Sequence, residues 1–166
     1  MIDISKLSSR YAVRLMRDED ADELLAFCLQ NTQFYEYCGR ETSRELILRD
    51  LHITPPGVGP DDKYYVGFYD GAVLAAVMDL IDGYPDGDSC YIGFFMMNKG
   101  LQGRQLGSAI VQEVFRYLKE SGYAAVRLGI DKDNPQSTHF WKKNGFAVIR
   151  EVELDGGTIL VAEKTL

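Results

Sequence analysis

The most informative part of the sequence is residues 89–110, SCYIGFFMMNKGLQGRQLGSAI. Its first part, Ser89–Met97, is almost wholly apolar, which suits a central β-strand covered on both faces. Its last part continues into QLGSAIVQEVFRYLKESG, where apolar residues recur at helical spacing up to a glycine stop. Between the two lies a loop that carries Gly100, Gly103 and Gly107. The stretch therefore predicts a strand that passes through a glycine-spaced loop directly into a helix.

This loop is a candidate anion site. The first turn of a helix has unpaired backbone N–H groups and a partial positive charge, so it stabilises an anion without any basic side chain. Gly103 and Gly107 allow the backbone to approach a ligand closely, because glycine has no Cβ. Ligands of parallel sheets also bind just after a buried strand. The loop is therefore interpreted as a phosphate or pyrophosphate cradle.

Two common nucleotide-binding motifs do not fit the loop. A P-loop needs a lysine between its second glycine and the Ser/Thr, and Gly107 is followed directly by Ser108. A dinucleotide fingerprint needs different glycine intervals and an early position in the chain. The glycines alone leave two interpretations open, a phosphate cradle or a tight strand-to-helix turn.

The remaining sequence alternates strands and helices. A hairpin is indicated by two β-prone runs that flank Asp70 and Gly71, a pair suited to a type I′ turn. Asn134 and Pro135 are typical of a helix start. The predicted order is β-α-α-β-β-β-α-β-α-β-β. Single strands are expected at residues 11–16, 89–98 and 123–130, and two-stranded hairpins at residues 63–81 and 146–166, the second of which turns at residues 155–157. Helices are expected at residues 17–31, 41–52, 105–122 and 134–145.

Composition bounds the class of protein. A chain of 166 residues with 46% hydrophobic residues fits one domain, residues 1–166. A formal charge of -7 argues against nucleic acid as a partner, because binding to phosphate backbones needs clustered Lys and Arg. No apolar stretch approaches membrane-spanning length, so no membrane partner is expected. The three cysteines lack metal-site spacing, which indicates no metal and reduced thiols in a cytoplasmic protein.

Two blocks of the sequence resemble the GNAT superfamily of N-acetyltransferases. The family loop reads Arg/Gln-x-x-Gly-x-Gly/Ala after an apolar fourth strand, and Gln102 and Gly107 match its first and last positions. Gln105 stands where the middle glycine is usual. The second block is NPQSTHFWKKNGF, in which Asn134, Trp141 and a Gly-Phe pair have the family spacing. The two blocks in this order are more specific than either alone.

The resemblance implies the fold and the cofactor. It implies an α/β (α+β) protein with a mixed central sheet of about seven strands, splayed between strands 4 and 5, and about four flanking helices. It also implies acetyl-coenzyme A as co-substrate, with the pyrophosphate in the loop and the pantetheine arm in the splay. Backbone groups of Phe95 and Met97 are expected to bond the pantetheine amides. The full set of implied cofactor-binding residues is Phe95, Met96, Met97, Gln102, Gly103, Arg104, Gln105, Leu106, Gly107, Ser108 and Asn134.

The catalytic residues are less clearly indicated. Acyl transfer needs a base for the amine and a donor for the oxyanion, for which a backbone N–H of the fourth strand is suited. Many family members place a tyrosine acid where this chain has Trp141, whose indole N–H is only a hydrogen-bond donor. Asp79, in an otherwise apolar strand, is either a base or amine anchor or a solvent-facing strand position. Tyr35 lies in the region that covers the acceptor in the family, and its alternative is packing beneath a loop.

The resulting hypothesis is direct transfer of an acetyl group to a primary amine of a small molecule. The alternatives are an acyltransferase that acts on a protein N-terminus or lysine, and a domain that binds coenzyme A without turnover. A homodimer is compatible with the C-terminal hairpin, and the sequence leaves the oligomeric state open.

Overall fold

One mixed sheet of seven strands organises the protein. The computed structural model describes residues 1–39, 41–154 and 156–166, apart from the side chain of Cys38. The strands are β1 to β7 in chain order, Ala12–Leu15, Lys63–Asp70, Val73–Asp82, Ser89–Met97, Ala125–Asp131, Ala147–Leu154 and Gly157–Thr165. Their order across the sheet is β1-β2-β3-β4-β5-β7-β6. All neighbours are antiparallel except β4 and β5, which are parallel.

Within the described residues, five α-helices flank the sheet. They are α1 to α5 in chain order, Ala21–Leu29, Thr32–Cys38, Arg44–His52, Leu106–Glu120 and Pro135–Lys143. Helices α4 and α5 pack on one face, where Ile110, Val114 and Trp141 join the larger core cluster. Helices α1 and α3 pack on the other face through Leu24 and Ile47. The two clusters hold the sheet from both sides.

The centre of the sheet opens between β4 and β5. The two strands pair only over Ser89–Ile92 and Ala125–Leu128, and both strands continue beyond that point without pairing to each other in the described chain. On the other side of β4, the register with β3 shifts so that Asp79 faces Phe94 while Leu80 faces Ile92. Gly93 is therefore an extra residue, a β-bulge, which bends β4 where it separates from β5. The predicted splay between strands 4 and 5 is confirmed.

Local capping matches the sequence at two helices. Ser43 begins α3 with its hydroxyl accepting from the Leu46 N–H at 3.3 Å, and Asn134 begins α5 with its side chain accepting from the Ser137 N–H at 2.9 Å. Asp20, the residue before α1, does not cap that helix with its side chain. Its carboxylate accepts from the Arg17 N–H at 2.8 Å and makes no cap bond to α1.

One further expectation was not met in detail. The sequence predicts a single connection between its first two helices, but α2 occupies much of it and ends at Gly39, which has a φ of +60°. Tertiary packing of its rings stabilises this helix of only seven residues, which is too short to be stable alone. The predicted turn at residues 155–157 falls partly on Asp155, which lies outside the described residues.

Candidate active site

Two clefts open from the splay and share a wall. The first, about 330 Å³, lies between the end of β4, the loop before α4 and helix α5; the second, about 640 Å³, lies on the opposite face beneath α2 and α3. They are called here the loop cleft and the acceptor cleft. The residues that line both are Phe34, Phe95, Asn134, Ser137 and Trp141. Molecules bound in the two clefts therefore meet at the opening of the sheet.

The loop cleft ends in a cradle of backbone N–H groups. From residue 103 to residue 108, no backbone N–H donates to an acceptor anywhere in the described chain, and the first bond of α4 is from Ala109 to Gln105. These groups lie where the helix dipole is positive, so they suit an anion such as a pyrophosphate. The cradle interpretation of the loop is the one that the geometry supports.

Gln105 begins α4 in a left-handed backbone conformation, with a φ of +61° and a ψ of 6°. Among the described residues it is the only non-glycine with a positive φ. A β-carbon in this region costs about 1 kcal/mol relative to glycine. Glutamine at this position therefore makes the folded protein less stable than the usual glycine would. The Gln105 side chain is exposed.

Gly107 serves packing as well as ligand access. A Cβ at this position would lie 3.1 Å from Met97 Cγ and 3.4 Å from Phe140 Cε2. Gly103 differs, because it has open space around it and a φ of +76°. The first glycine is therefore required by backbone conformation and the second by close contact of α4 with β4 and α5.

Gln102 holds the loop against the rest of the protein. Its side-chain amide donates to Asn31 Oδ1 at 2.6 Å and to the Met97 carbonyl at 3.3 Å. Asn31, buried in the α1–α2 connection, donates to the same carbonyl at 3.3 Å. The side chain of Gln102 is thus engaged within the protein, and the Met97 carbonyl already accepts two bonds. For ligand binding, Gln102 offers its backbone.

The other predicted cofactor residues are placed as follows. Every member of the predicted set lines the loop cleft except Arg104, which is exposed at the surface of the loop. Ser108 accepts a bond from Asn144 Nδ2 at 3.1 Å, and Asn144 also accepts from Gln112 at 3.1 Å. Asn134 is the cap of α5 and lines both clefts. The predicted roles of Asn134 as a helix cap and as a cofactor contact are compatible.

Trp141 forms the wall between the clefts. It is buried, and its ring packs edge-on against Phe95, Phe140 and Phe146 at centroid distances of 5.9, 4.9 and 5.2 Å. An indole in this position gives the opening an apolar, rigid boundary. The position is the one where the sequence comparison expected a tyrosine acid.

The acceptor cleft combines carboxylates with aromatic rings. Its acidic lining is Glu41, Asp50, Asp79 and Asp131, and its aromatic lining is Phe34, Tyr35, Tyr65, Tyr91, Phe94, Phe95 and Trp141. The basic side chain that lines it is Arg49, which donates to Asp50 at 3.0 Å. Such a lining favours a cation, because rings and carboxylates both attract positive charge.

Asp79 is buried, so the expectation of a solvent-facing strand position is wrong. One oxygen, Oδ2, accepts from Lys63 Nζ at 2.7 Å, in a pair whose side chains are only 11% and 4% exposed. The other oxygen, Oδ1, is buried and has no hydrogen-bond partner among the described residues. Burial raises the pKa of Asp79 from its ordinary value, while the charge and hydrogen bond of Lys63 lower it. A buried carboxylate oxygen that no protein donor satisfies is able to accept a proton.

The bulge at Gly93 makes room for this carboxylate. A Cβ at Gly93 would lie 2.5 Å from Asp79 Oδ2 and 3.2 Å from its Cγ. No side chain therefore fits at this point of β4 without displacing Asp79. The Asp79 carboxylate lies against β4 at the point where the sheet opens.

Tyr35 lies on α2 in the wall of the acceptor cleft, edge-on to Phe34 at 5.2 Å. Burial raises the pKa of its phenol well above its usual value. Tyr35 is therefore a neutral hydroxyl near neutral pH and is poorly suited to accept a proton. Its ring packs against Phe34 and also lines the acceptor cleft, so contact with the acceptor stays a prediction.

Sequence reasoning missed Lys63, Gly93 and Asn31. Lys63 is two residues before Tyr65, which directly faces Asp79 across the strand pair, so Lys63 is a diagonal neighbour of Asp79. The hairpin register around Asp70 and Gly71 is the signal that brings them together. A register irregularity at Phe68 and Tyr69 moves that register by one residue, which the sequence pattern does not reveal.

The chain belongs to the acetyltransferase (GNAT) family, whose model matches residues 25–146. It is accordingly an acyltransferase that uses acetyl-coenzyme A. The matched region includes both clefts' shared wall and the loop before α4, so the resemblance read from the two sequence blocks is confirmed.

Solved structures share the fold at low identity. The PaiA N-acetyltransferase from Thermoplasma acidophilum, in complex with coenzyme A, is 18% identical with a TM-score of 0.65, over 93% of this chain and 98% of that one. The ribosomal L7/L12 α-N-protein acetyltransferase RimL is 16% identical with a TM-score of 0.74, over 100% and 96%. A spermidine N-acetyltransferase SpeG chimera from Vibrio cholerae and hSSAT is 13% identical with a TM-score of 0.68, over 95% and 96%. No curated protein sequence matches the chain.

The described residues hold neither a metal-binding cluster nor a membrane-spanning helix. No group of three or more His, Cys, Asp or Glu side chains in that part of the chain is arranged to hold a metal ion. None of its helices combines the length and the apolar character needed to cross a bilayer.

Proposed function

We propose that this acetyltransferase transfers the acetyl group to a primary amine of a small, positively charged molecule. The observation that carries the proposal is the acceptor cleft, which is lined by carboxylates and aromatic rings and meets the loop cleft at Trp141. Ammonium groups are recognised by this combination of side chains. The formal charge of -7 also favours the approach of cations.

Asp79 is the proposed general base. An amine must lose a proton to attack, and Asp79 Oδ1 is a buried acceptor without a partner in the described chain. In the reaction the amine nitrogen bonds to the acetyl carbon, the bond from that carbon to sulfur breaks, and the amine proton passes to Oδ1 and then to solvent. Because β4 is unpaired on its β5 side from Gly93 onward, a backbone N–H of this segment is suited to donate to the oxyanion.

The loop cleft supplies the proposed binding site for acetyl-coenzyme A. The residues present fit the co-substrate, because the N–H groups of residues 103–108 suit its pyrophosphate and the open edge of β4 suits its amide-bearing arm. Trp141 lines both clefts at the point where they meet. Its indole does not release a proton at ordinary pH, so the thiolate leaves as an anion or takes a proton from water.

Initial rates of coenzyme A release with a panel of acceptors test this function. The panel contains small diamines, monoamines, amino acids with a net negative charge and peptides with a free N-terminus. The proposal predicts the fastest release with the cationic small molecules, each yielding an N-acetyl product by mass spectrometry. Acetylation confined to peptides, or a preference for anionic amines, would overturn it.

Acetylation of a protein N-terminus is a second candidate function. The observation that favours it is the rim of the acceptor cleft, where Leu154 of β6 is 58% exposed and available to a peptide. The same panel decides between the two candidates, since a peptide acceptor would outcompete the small amines.

A further inference from the structure

The pair of Lys63 and Asp79 is unusual in its surroundings. A lysine side chain that is 4% exposed has lost nearly all of its hydration, which is costly unless a partner compensates it. Asp79 gives this compensation through Oδ2 alone, at 2.7 Å. Apolar residues of similar volume would often stabilise the fold equally well or better. The pair therefore calls for an explanation beyond stability.

The two oxygens of the Asp79 carboxylate have different surroundings. Lys63 approaches Asp79 from β2, and the Lys63 ammonium also lies 5.8 Å from the centroid of the Tyr65 ring. Oδ2 is fixed between this ammonium and the bare backbone of Gly93. Oδ1 keeps its lone pairs free of protein donors in the described chain. A carboxylate gripped at one oxygen has only the other to offer.

We propose that Lys63 is a positioning residue for acetyl transfer: its ammonium fixes Asp79 by one oxygen and leaves the other to accept the proton of the amine. This inference rests on the proposed role of Asp79 as the base. Lys63 does not line the acceptor cleft, and it acts only through Asp79.

The charges around Asp79 give the sign of the effect. The groups that act on it are Lys63 and Tyr65 of β2 and Asp50 of α3, while Gly93 and Phe94 of β4 bring no charge. Burial and the negative charge of Asp50 raise the pKa of Asp79, and Lys63 is the group that lowers it. Removal of the Lys63 charge therefore leaves only influences that favour protonation, and a protonated Asp79 accepts no proton from the amine.

The test is the pH profile of kcat/KM for acetyl transfer in Lys63→Gln, which removes the charge and keeps an amide donor. The acid limb of the profile is expected to move to higher pH by about one unit or more, with a Kd for coenzyme A equal to that of the wild type. Lys63→Arg, which keeps the charge, is expected to return the limb toward its wild-type position. Lys119→Gln, on the exposed last turn of α4, is the matched control and is expected to leave the limb unmoved.

Two outcomes separate the possible failures. If the wild type transfers acetyl groups but Lys63→Gln lowers only the melting temperature and leaves the acid limb in place, Lys63 is structural and the inference is wrong. If the wild type shows no acceptor-dependent release of coenzyme A, the proposed function itself fails. If Lys63→Gln does not fold, the double variant Lys63→Met/Asp79→Asn decides. Because Lys63 acts only through Asp79, the inference predicts that the double variant has the same kcat as Asp79→Asn alone.

Discussion

The two clefts differ in the groups that line them. The loop cleft uses backbone N–H groups, glycines and an apolar strand, all within one continuous stretch from β4 into α4. The acceptor cleft uses side chains that come from separate elements, with Asp50 from α3, Asp79 from β3 and Asp131 from β5. A backbone cradle serves one ligand shared by a whole family, whereas side chains are free to change with the acceptor. The difference predicts that substitutions in the acceptor cleft change turnover without changing coenzyme A affinity.

Asp79→Asn is the substitution with the largest expected effect. Loss of a general base lowers kcat by about 10²–10⁴-fold. The Kd for coenzyme A, measured by calorimetry, is expected to stay at the wild-type value because Asp79 lies only in the acceptor cleft. Asp70→Asn, in the exposed turn between β2 and β3, is the control. An equal loss of coenzyme A affinity in Asp79→Asn would show that the clefts are not separate.

Gly93→Ala tests the space beside the base. The new Cβ meets Asp79 Oδ2 at 2.5 Å and displaces the carboxylate. Misplacement of a catalytic group by about 1 Å costs up to about 100-fold in rate, so kcat is expected to fall while coenzyme A affinity is retained. Gly87→Ala, where a Cβ meets nothing within 4 Å, is the matched control. Unchanged kcat in Gly93→Ala would contradict the placement of the base.

Gln105→Gly tests the loop cleft. Relief of the left-handed backbone at this position is expected to raise the free energy of unfolding by about 1 kcal/mol. Coenzyme A affinity is expected to be retained or improved, because the backbone N–H is unchanged. Chemical denaturation and calorimetry measure the two quantities. A large loss of affinity would show that the glutamine side chain itself holds the cofactor, and would weaken the contrast between the clefts.

The smallest effect is expected for the chemical modification of Cys90 by acetyl-coenzyme A or by a thiol reagent. Burial raises the pKa of the Cys90 thiol to about 12, so almost none of it is thiolate at pH 8. Native protein incubated with acetyl-coenzyme A and then with a thiol reagent is expected to carry neither group on Cys90, as peptide mass spectrometry would show. Acetylated Cys90 would indicate a covalent route instead of direct transfer.

The sequence predicted the loop cleft better than the acceptor cleft for a physical reason. The strand, the loop and the helix are adjacent in the chain, so their local pattern predicts an anion site, and the resemblance to the family pointed to Gln102 and Gly107 within it. The engagement of Gln102 with Asn31 was not predictable, because it joins residues 71 positions apart. Asp79 was noticed only as a charge among apolar residues. Its partner and its burial depend on the β2–β3 register and on the bulge at Gly93, which residue types alone do not specify.

The central claim is that both substrates are bound together in clefts that meet at Trp141, so that the amine attacks the thioester directly. Initial velocities measured over a matrix of acetyl-coenzyme A and cationic amine concentrations test it most directly. The account predicts double-reciprocal lines that intersect, since a ternary complex must form. Parallel lines, the pattern of a ping-pong reaction through a covalent acetyl-enzyme, would contradict it.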